Sequence, residues 1–236
     1  MSDRQPVDHF DEEHAARYDE RFARLAPMRD ALHFIAAMAL HDLPAEARVI
    51  CVGAGTGAEL LALAARFPSW RFMAVDPSAP MLAICRRRAE AAGVLTRCEF
   101  HEGLVSSVPS TAKFHAATSL LVSQFITAAP DRIAFFRDIA TRLLPGGRLI
   151  TADLSTGATG SQHERRVGVW HKMLHHSGVE PPPMAEMLQA WKRDVAILPA
   201  VEIEAFLVEA GFARPTLICQ TLLIHAWLAQ RERSDE

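Results

Sequence analysis

The stretch Val49-Ile50-Cys51-Val52-Gly53-Ala54-Gly55-Thr56-Gly57-Ala58-Glu59-Leu60 decides the fold. Its first four residues are apolar without alternation, which is the pattern of a short strand buried on both faces of a parallel sheet. Three alternating glycines follow, then a helical pattern from Glu59 to Phe67 that stops at Pro68. One glycine would serve a plain strand-to-helix turn. Three allow positive φ and let a ligand approach the backbone, where the helix N-terminus offers free N–H groups. The segment therefore reads as a ligand loop after a first parallel strand, Arg48 to Gly53.

Working outward, the strand–helix rhythm continues. Arg71 to Asp76 is a second strand, and Pro80 to Ala92 a second helix with Gly93 as its stop. Arg97 to His101 and Phe114 to Leu121 are further strands. Asp131 to Leu144 is an amphipathic helix closed by Pro145-Gly146-Gly147, and Arg148 to Leu154 a fifth strand. This alternation predicts an α/β, doubly wound, seven-stranded and mostly parallel sheet with its last strand antiparallel.

Upstream, Asp11 to Ala26 carries a stripe of Ala15, Tyr18, Phe22 and Leu25, interrupted at Pro27. Leu32, Ile35, Ala36 and Ala39 continue it on a second helix. Residues 155–198 break the rhythm with four histidines, two tryptophans and Pro181-Pro182-Pro183, and read as a helical insertion, a lid. Pro199 to Ala210 is a helix stopped by Gly211. Arg214 to Gln220 and Leu222 to Ala229 are two closing strands. The expected organisation is one domain: a helical cap over 1–45, a ligand-binding core over 46–154, the lid over 155–198, and a closing helix and strands over 199–230.

The composition narrows the function classes. The chain has 236 residues, 25 Lys+Arg against 28 Asp+Glu, a net charge of −3 and 50% hydrophobic residues. That is globular rather than disordered, and it lacks the basic excess of a dedicated nucleic-acid binder. Arg86-Arg87-Arg88, Arg165-Arg166 and Lys192-Arg193 read as solvated helix faces. Cys51, Cys85, Cys98 and Cys219 are scattered, with no CxxC pair to build a zinc or disulfide framework. The start shows no apolar signal core, and no apolar run reaches membrane length. We expect a reduced, cytoplasmic protein with no nucleic-acid or membrane partner.

Asp76 ends the second strand, 21 residues after Gly55. An acid there can accept hydrogen bonds from both ribose hydroxyls of a nucleotide, which predicts an adenosine-type ligand and no more. The alternative is an Asp that simply caps the next helix. A short-chain nicotinamide dehydrogenase needs a tyrosine with a nearby lysine, and the only tyrosine, Tyr18, precedes the glycine loop.

Four motifs together resemble the class I S-adenosylmethionine-dependent methyltransferases. They are Val52 to Gly57, Val75-Asp76-Pro77-Ser78-Ala79-Pro80-Met81-Leu82, Phe100-His101-Glu102-Gly103 and Leu143-Leu144-Pro145-Gly146-Gly147-Arg148-Leu149. The similarity runs over roughly residues 10–230. It implies S-adenosylmethionine as cofactor. Gly53, Ala54, Gly55, Thr56 and Gly57 would meet its methionine part, and Asp76 its ribose. Pro77 and Met81 would pack on adenine, with Glu102, Gly103 and Leu104 along its edge; the family usually has Asp at the position of Leu104. Leu120 and Leu121 would sit beside the cofactor. Tyr18 would reach its carboxylate, as in the family's Phe-x-x-x-Ala-x-x-Tyr-Asp pattern, here Phe10 to Asp19.

The implied activity is methyl transfer to an oxygen or nitrogen of a small molecule. No Asn-Pro-Pro-Tyr-type signature follows the fourth strand; Thr118-Ser119-Leu120-Leu121-Val122 stands there. Gln124, Phe125, Trp170 and Trp191 are candidate acceptor contacts. His171 and His175, one helical turn apart, are candidate bases. The same spacing could place two nitrogens on a metal, but a full site needs more ligands, and we expect none. The other reading of these histidines is the polar face of a helix packing Trp170, Met173 and Leu174.

Ser123-Gln124-Phe125 and Leu222 to Leu228 are also similar to the carboxy-S-adenosylmethionine synthase branch, whose arginine aligns with Leu188 here. A protein that binds the cofactor without turnover is a further alternative. The apolar N-terminal helices make a homodimer the expected assembly, if there is one.

Overall fold

A computed structural model describes residues 23–156, 160–178 and 181–232. The elements are α1 (Ala26–Ala39), β1 (Arg48–Val52), α2 (Ala58–Arg66), β2 (Arg71–Asp76), α3 (Ala79–Ala91), β3 (Cys98–Glu102) and β4 (Phe114–Leu120). Then come α4 (Ala129–Arg142), β5 (Leu143–Leu154), α5 (Ser161–His176), α6 (Met184–Asp194), α7 (Ala200–Glu209), β6 (Thr216–Thr221) and β7 (Ile224–Gln230).

The seven strands form one sheet in the order β3-β2-β1-β4-β5-β7-β6. Strands β1 to β5 pair in parallel. Strand β7 runs antiparallel to both β5 and β6. The expected doubly wound α/β architecture is thus present, and the one reversed strand is the last in sequence.

Burial on both faces explains the unbroken apolar run of β1. Val49 and Cys51 join a core with Leu60, Leu63, Phe72 and Ala74 under α1 to α3. Ile50 and Val52 join the opposite core with Phe136, Ile139, Ile203 and Leu207 under α4 and α7. A third core, built on Ala152, Leu154, Ile224 and Ala226, seats α1, α5 and α6.

Local signals set most helix ends. Ser78 caps α3 by accepting the Met81 N–H at 3.4 Å. Arg97 closes the end of α2, donating to the carbonyls of Ala64, Phe67 and Trp70 at 2.9–3.2 Å. Two readings shift. Pro27 stands in the first turn of α1, where its missing N–H costs nothing. The expected helix from Asp11 lies outside the described residues as far as 22; Ala23–Leu25 form a single 3₁₀ turn. And β5 begins at Leu143, ahead of the expected Arg148, because Leu143 already pairs with Phe114. The Gly147 carbonyl there also accepts the Arg231 N–H at 2.8 Å.

The insertion is helical as expected and is clamped at its base. Leu198 forms a bridge with Ser155. The Leu198 carbonyl accepts the Thr156 N–H at 3.1 Å and the Ser155 hydroxyl at 2.8 Å. Among the described residues, no helix is long and apolar enough to cross a membrane.

Candidate active site

The strand order reverses between β1 and β4, and in open α/β sheets the crevice at that switch point is where ligands bind. The glycine loop leaves β1 there. The N–H groups of Gly53 and Ala54 both donate to the Val75 carbonyl, at 2.8 and 3.1 Å, which ties the loop to β2. Arg88 on α3 donates to the carbonyl and hydroxyl of Thr56 at 3.3 and 3.1 Å. Helix α2 starts on Gly57, which has no side chain to cap the N–H groups of its first turn.

The three glycines do different work. All have positive φ: +70° at Gly53, +52° at Gly55 and +83° at Gly57. A Cβ on Gly53 would lie 2.4 Å from a methyl of Val122, and one on Gly57 2.4 Å from the Cys85 sulfur. A Cβ on Gly55 would meet nothing within 4 Å. The expectation that all three face a ligand therefore narrows. Gly53 and Gly57 make room for the protein, and Gly55 alone opens onto free space.

Asp76 is tied to the backbone of the same glycine. One carboxylate oxygen accepts the Gly55 N–H and the other the Ser78 N–H, both at 2.8 Å. Its side chain is nearly enclosed, with 8% of the residue exposed. Burial raises its pKa, and the two backbone N–H groups pull the other way. Each oxygen keeps a lone pair for a further donor. Pro77 is half-buried beside it, and Met81 is buried.

Glu102 pairs in register with Asp76 at the tip of β3, and Gly103 donates to the Asp76 carbonyl at 3.0 Å. Leu104 is 58% exposed, an apolar surface at the rim of the crevice. The sequence-predicted positions 53–57, 76–77 and 102–104 thus come together at three adjacent strand tips. Tyr18 lies outside the described residues.

The β4 side is strained and apolar. Leu121 has a φ of +61°, which a non-glycine residue rarely adopts. Its N–H donates to the Ala152 carbonyl at 2.7 Å. Leu120 and Leu121 pack on the lid core together with Trp170 and Trp191, so four predicted residues meet in one cluster. Leu188 belongs to the same cluster, an apolar residue where the carboxy-S-adenosylmethionine synthase branch would need its arginine.

Gln124 is placed differently from its expected role at the acceptor. Its carboxamide oxygen accepts the Leu154 N–H at 2.8 Å, and its carbonyl accepts the Ala196 N–H at 2.8 Å. It braces β4 to β5 and to the end of the lid. Phe125 is half-buried in the 3₁₀ turn Ser123–Phe125.

His171 and His175 stack edge-on at 4.9 Å. The His171 Nε2 lies 3.1 Å from the Pro182 carbonyl, and His175 is exposed. His171 thereby ties α5 to Pro182, ahead of α6. No described hydrogen bond brings either one to the glycine loop.

Two buried polar groups escaped the sequence reading. Arg132 on α4 and Asp153 on β5 form an ion pair at 3.1 Å, both fully enclosed. Asp153 also accepts the Ser123 hydroxyl at 2.7 Å and the Gln124 N–H at 2.9 Å, while Arg132 donates to the Ala196 carbonyl at 3.0 Å. Arg132 shares the buried stripe of Phe136 and Ile139, and that periodicity was the available signal. Behind the glycine loop, Glu59 accepts the Thr118 hydroxyl at 2.5 Å, and burial pushes its carboxyl up to about 7.

Comparison with known proteins agrees with this geometry. Residues 49–147 match the sequence model of a methyltransferase domain family. Among curated protein sequences, none matches. A protein described as an O-methyltransferase from Nostoc punctiforme PCC 73102 superposes with a TM-score of 0.66 at 17% identity, over 93% of this chain and 59% of that one. An O-methyltransferase family protein from Burkholderia thailandensis gives 0.66 at 16% identity, over 96% and 62%. CalO1, a methyltransferase in calicheamicin biosynthesis solved with S-adenosylhomocysteine bound, gives 0.63 at 18% identity, over 92% and 60%. The chain thus spans about three fifths of each, and at these identities the likeness is one of fold. Residues 49–147 thus match a methyltransferase domain, and the whole sheet has the Rossmann-like fold that these methyltransferase structures share.

Proposed function

We propose that this chain transfers a methyl group from S-adenosylmethionine to an oxygen or nitrogen of a small-molecule acceptor. The observation that carries the reading is the free space at Gly55, whose N–H is held by Asp76, at the switch point of the sheet. The residues fit the cofactor. The α2 N-terminus suits its carboxylate, Asp76 its ribose, and the apolar rim of Pro77 and Leu104 its base. Tyr18 remains the proposed partner of the methionine end. Bound there, S-adenosylmethionine supplies an electrophilic methyl on a sulfonium.

The chain's part is positioning. Leu120, Leu121, Trp170 and Trp191 supply an apolar surface that would exclude water and align the acceptor. His171 and His175 stay candidate bases, although the tie of His171 to Pro182 better suits holding the lid in place. The four free thiols fit a reducing, cytoplasmic setting.

The test is calorimetric titration with S-adenosylmethionine, S-adenosylhomocysteine and NAD. Both adenosyl ligands should bind and NAD should not. Asp76→Ala should weaken binding by about 1.5–3 kcal/mol, the worth of a hydrogen bond to a charged group. Binding of NAD alone, or of none of the three, overturns the reading.

A further inference from the structure

Helix α5 turns one stripe toward the protein. Val167, Trp170 and Leu174 pack on the lid core beside Leu121, and His163 and Arg166 continue that stripe one turn earlier. Glu164 and Arg165 point out and are exposed. The inward pair is unmatched. The Nδ1 of His163 and one terminal nitrogen of Arg166 are enclosed and have no hydrogen-bond partner among the described residues. None of the described ion pairs involves Arg166.

Burial lowers the pKa of His225, almost fully enclosed on β7, and the nearby Arg166 charge adds to that lowering. Glu204 is the acid facing the same histidine, and its carboxylate already accepts the Trp227 indole N–H at 3.0 Å. An enclosed guanidinium nitrogen without an acceptor is costly unless something anionic completes it.

We propose that Arg166 and His163 form an anion subsite beneath the lid, and that the acceptor is an organic anion whose carboxylate or phosphate they hold. This rests on the methyl-transfer reading and names its substrate class. The planar guanidinium fork suits such groups in two-point contact. Arg166 and Trp170 are four residues apart, about 6 Å along the helix. The anionic group therefore sits one ring's length from the apolar cluster of Trp170, Trp191 and Leu121, against which the acceptor's body would lie. The lid must open to admit it.

The test titrates benzoate, phenyl phosphate and neutral benzyl alcohol into protein saturated with S-adenosylhomocysteine, by calorimetry. At least one anion should bind ten times more tightly than benzyl alcohol, and the tighter of the two assigns carboxylate or phosphate. Arg166→Met should abolish that preference, Arg166→Lys should keep part of it, and the outward control Arg165→Met should leave it intact. Unchanged S-adenosylhomocysteine affinity in each variant certifies folding. Absence of anion preference, its survival in Arg166→Met, or equal loss in Arg165→Met overturns the subsite. Failure of S-adenosylhomocysteine to bind at all overturns the methyl-transfer reading instead, and the same titration without it still decides the subsite.

Discussion

Replacing each loop glycine by alanine should separate stability from cofactor binding, in opposite orders. Gly55→Ala places a left-handed φ of +52° on an alanine, with free space around the new methyl. The conformational cost is about 1–2 kcal/mol, partly offset by about 0.4–1 kcal/mol from a stiffer unfolded chain. Gly57→Ala adds to the same strain a methyl 2.4 Å from the Cys85 sulfur, and Gly53→Ala one 2.4 and 2.8 Å from the Val122 methyls. Overpacking of this kind costs about 1–3 kcal/mol more, so both should lose about 1–5 kcal/mol. Urea denaturation reads these losses. Calorimetry with S-adenosylhomocysteine should show the reverse ranking, with Gly55→Ala losing at least tenfold in affinity because its methyl fills the ligand's space. Adding Cys85→Ala to Gly57→Ala should restore part of the loss, a coupling of about 1–3 kcal/mol. If Gly55→Ala is the most destabilised of the three, or if Cys85→Ala simply adds its own cost, the assignment of the glycines is wrong.

Three further predictions follow from the buried groups and the lid. Asp153→Ala strands Arg132 in the core and should cost about 3–5 kcal/mol in urea unfolding, whereas Arg132→Met with Asp153→Leu should cost less than the sum of its parts; additive losses would deny the coupling. Burial lifts Glu59 from 4.5 to about 7, so its folded form holds a proton more tightly than the unfolded chain does. Its contribution is complete below about pH 4.5 and is lost as pH rises through about 7. Glu59→Gln should therefore flatten the fall in stability across that window, and parallel wild-type and variant profiles would contradict it. His171→Ala should leave cofactor affinity unchanged and lower kcat by less than about tenfold if positioning dominates; the hundredfold loss typical of a removed general base would restore it as the proton acceptor.

The readable parts of the site were those written in adjacent residues. Asp76 follows its strand directly and carries a spacing that a turn and a helix fix. The roles within the glycine loop were not readable, because Val122 and Cys85 arrive from elements far along the chain to fill the space over Gly53 and Gly57. Gln124 looked like an acceptor contact by its place after β4. Only the fold shows its carboxamide oxygen used by the Leu154 N–H. The β6–β7 turn carries no glycine or asparagine. It holds because Leu223 is buried and its carbonyl accepts the Ser155 N–H at 2.8 Å, although Leu222 takes a φ of +54°.

The sequence by itself determined the parallel α/β fold, the ligand loop and the acid beside it. Strands buried on both faces must be apolar throughout, and glycine and proline act on their own backbone. Only the tertiary structure decided which glycine stays open, which of the polar residues are braces, and that Arg132 and Asp153 tie the lid to the sheet. Those outcomes depend on contacts between segments tens of residues apart, whose energies belong to the pair and are not written in either partner alone.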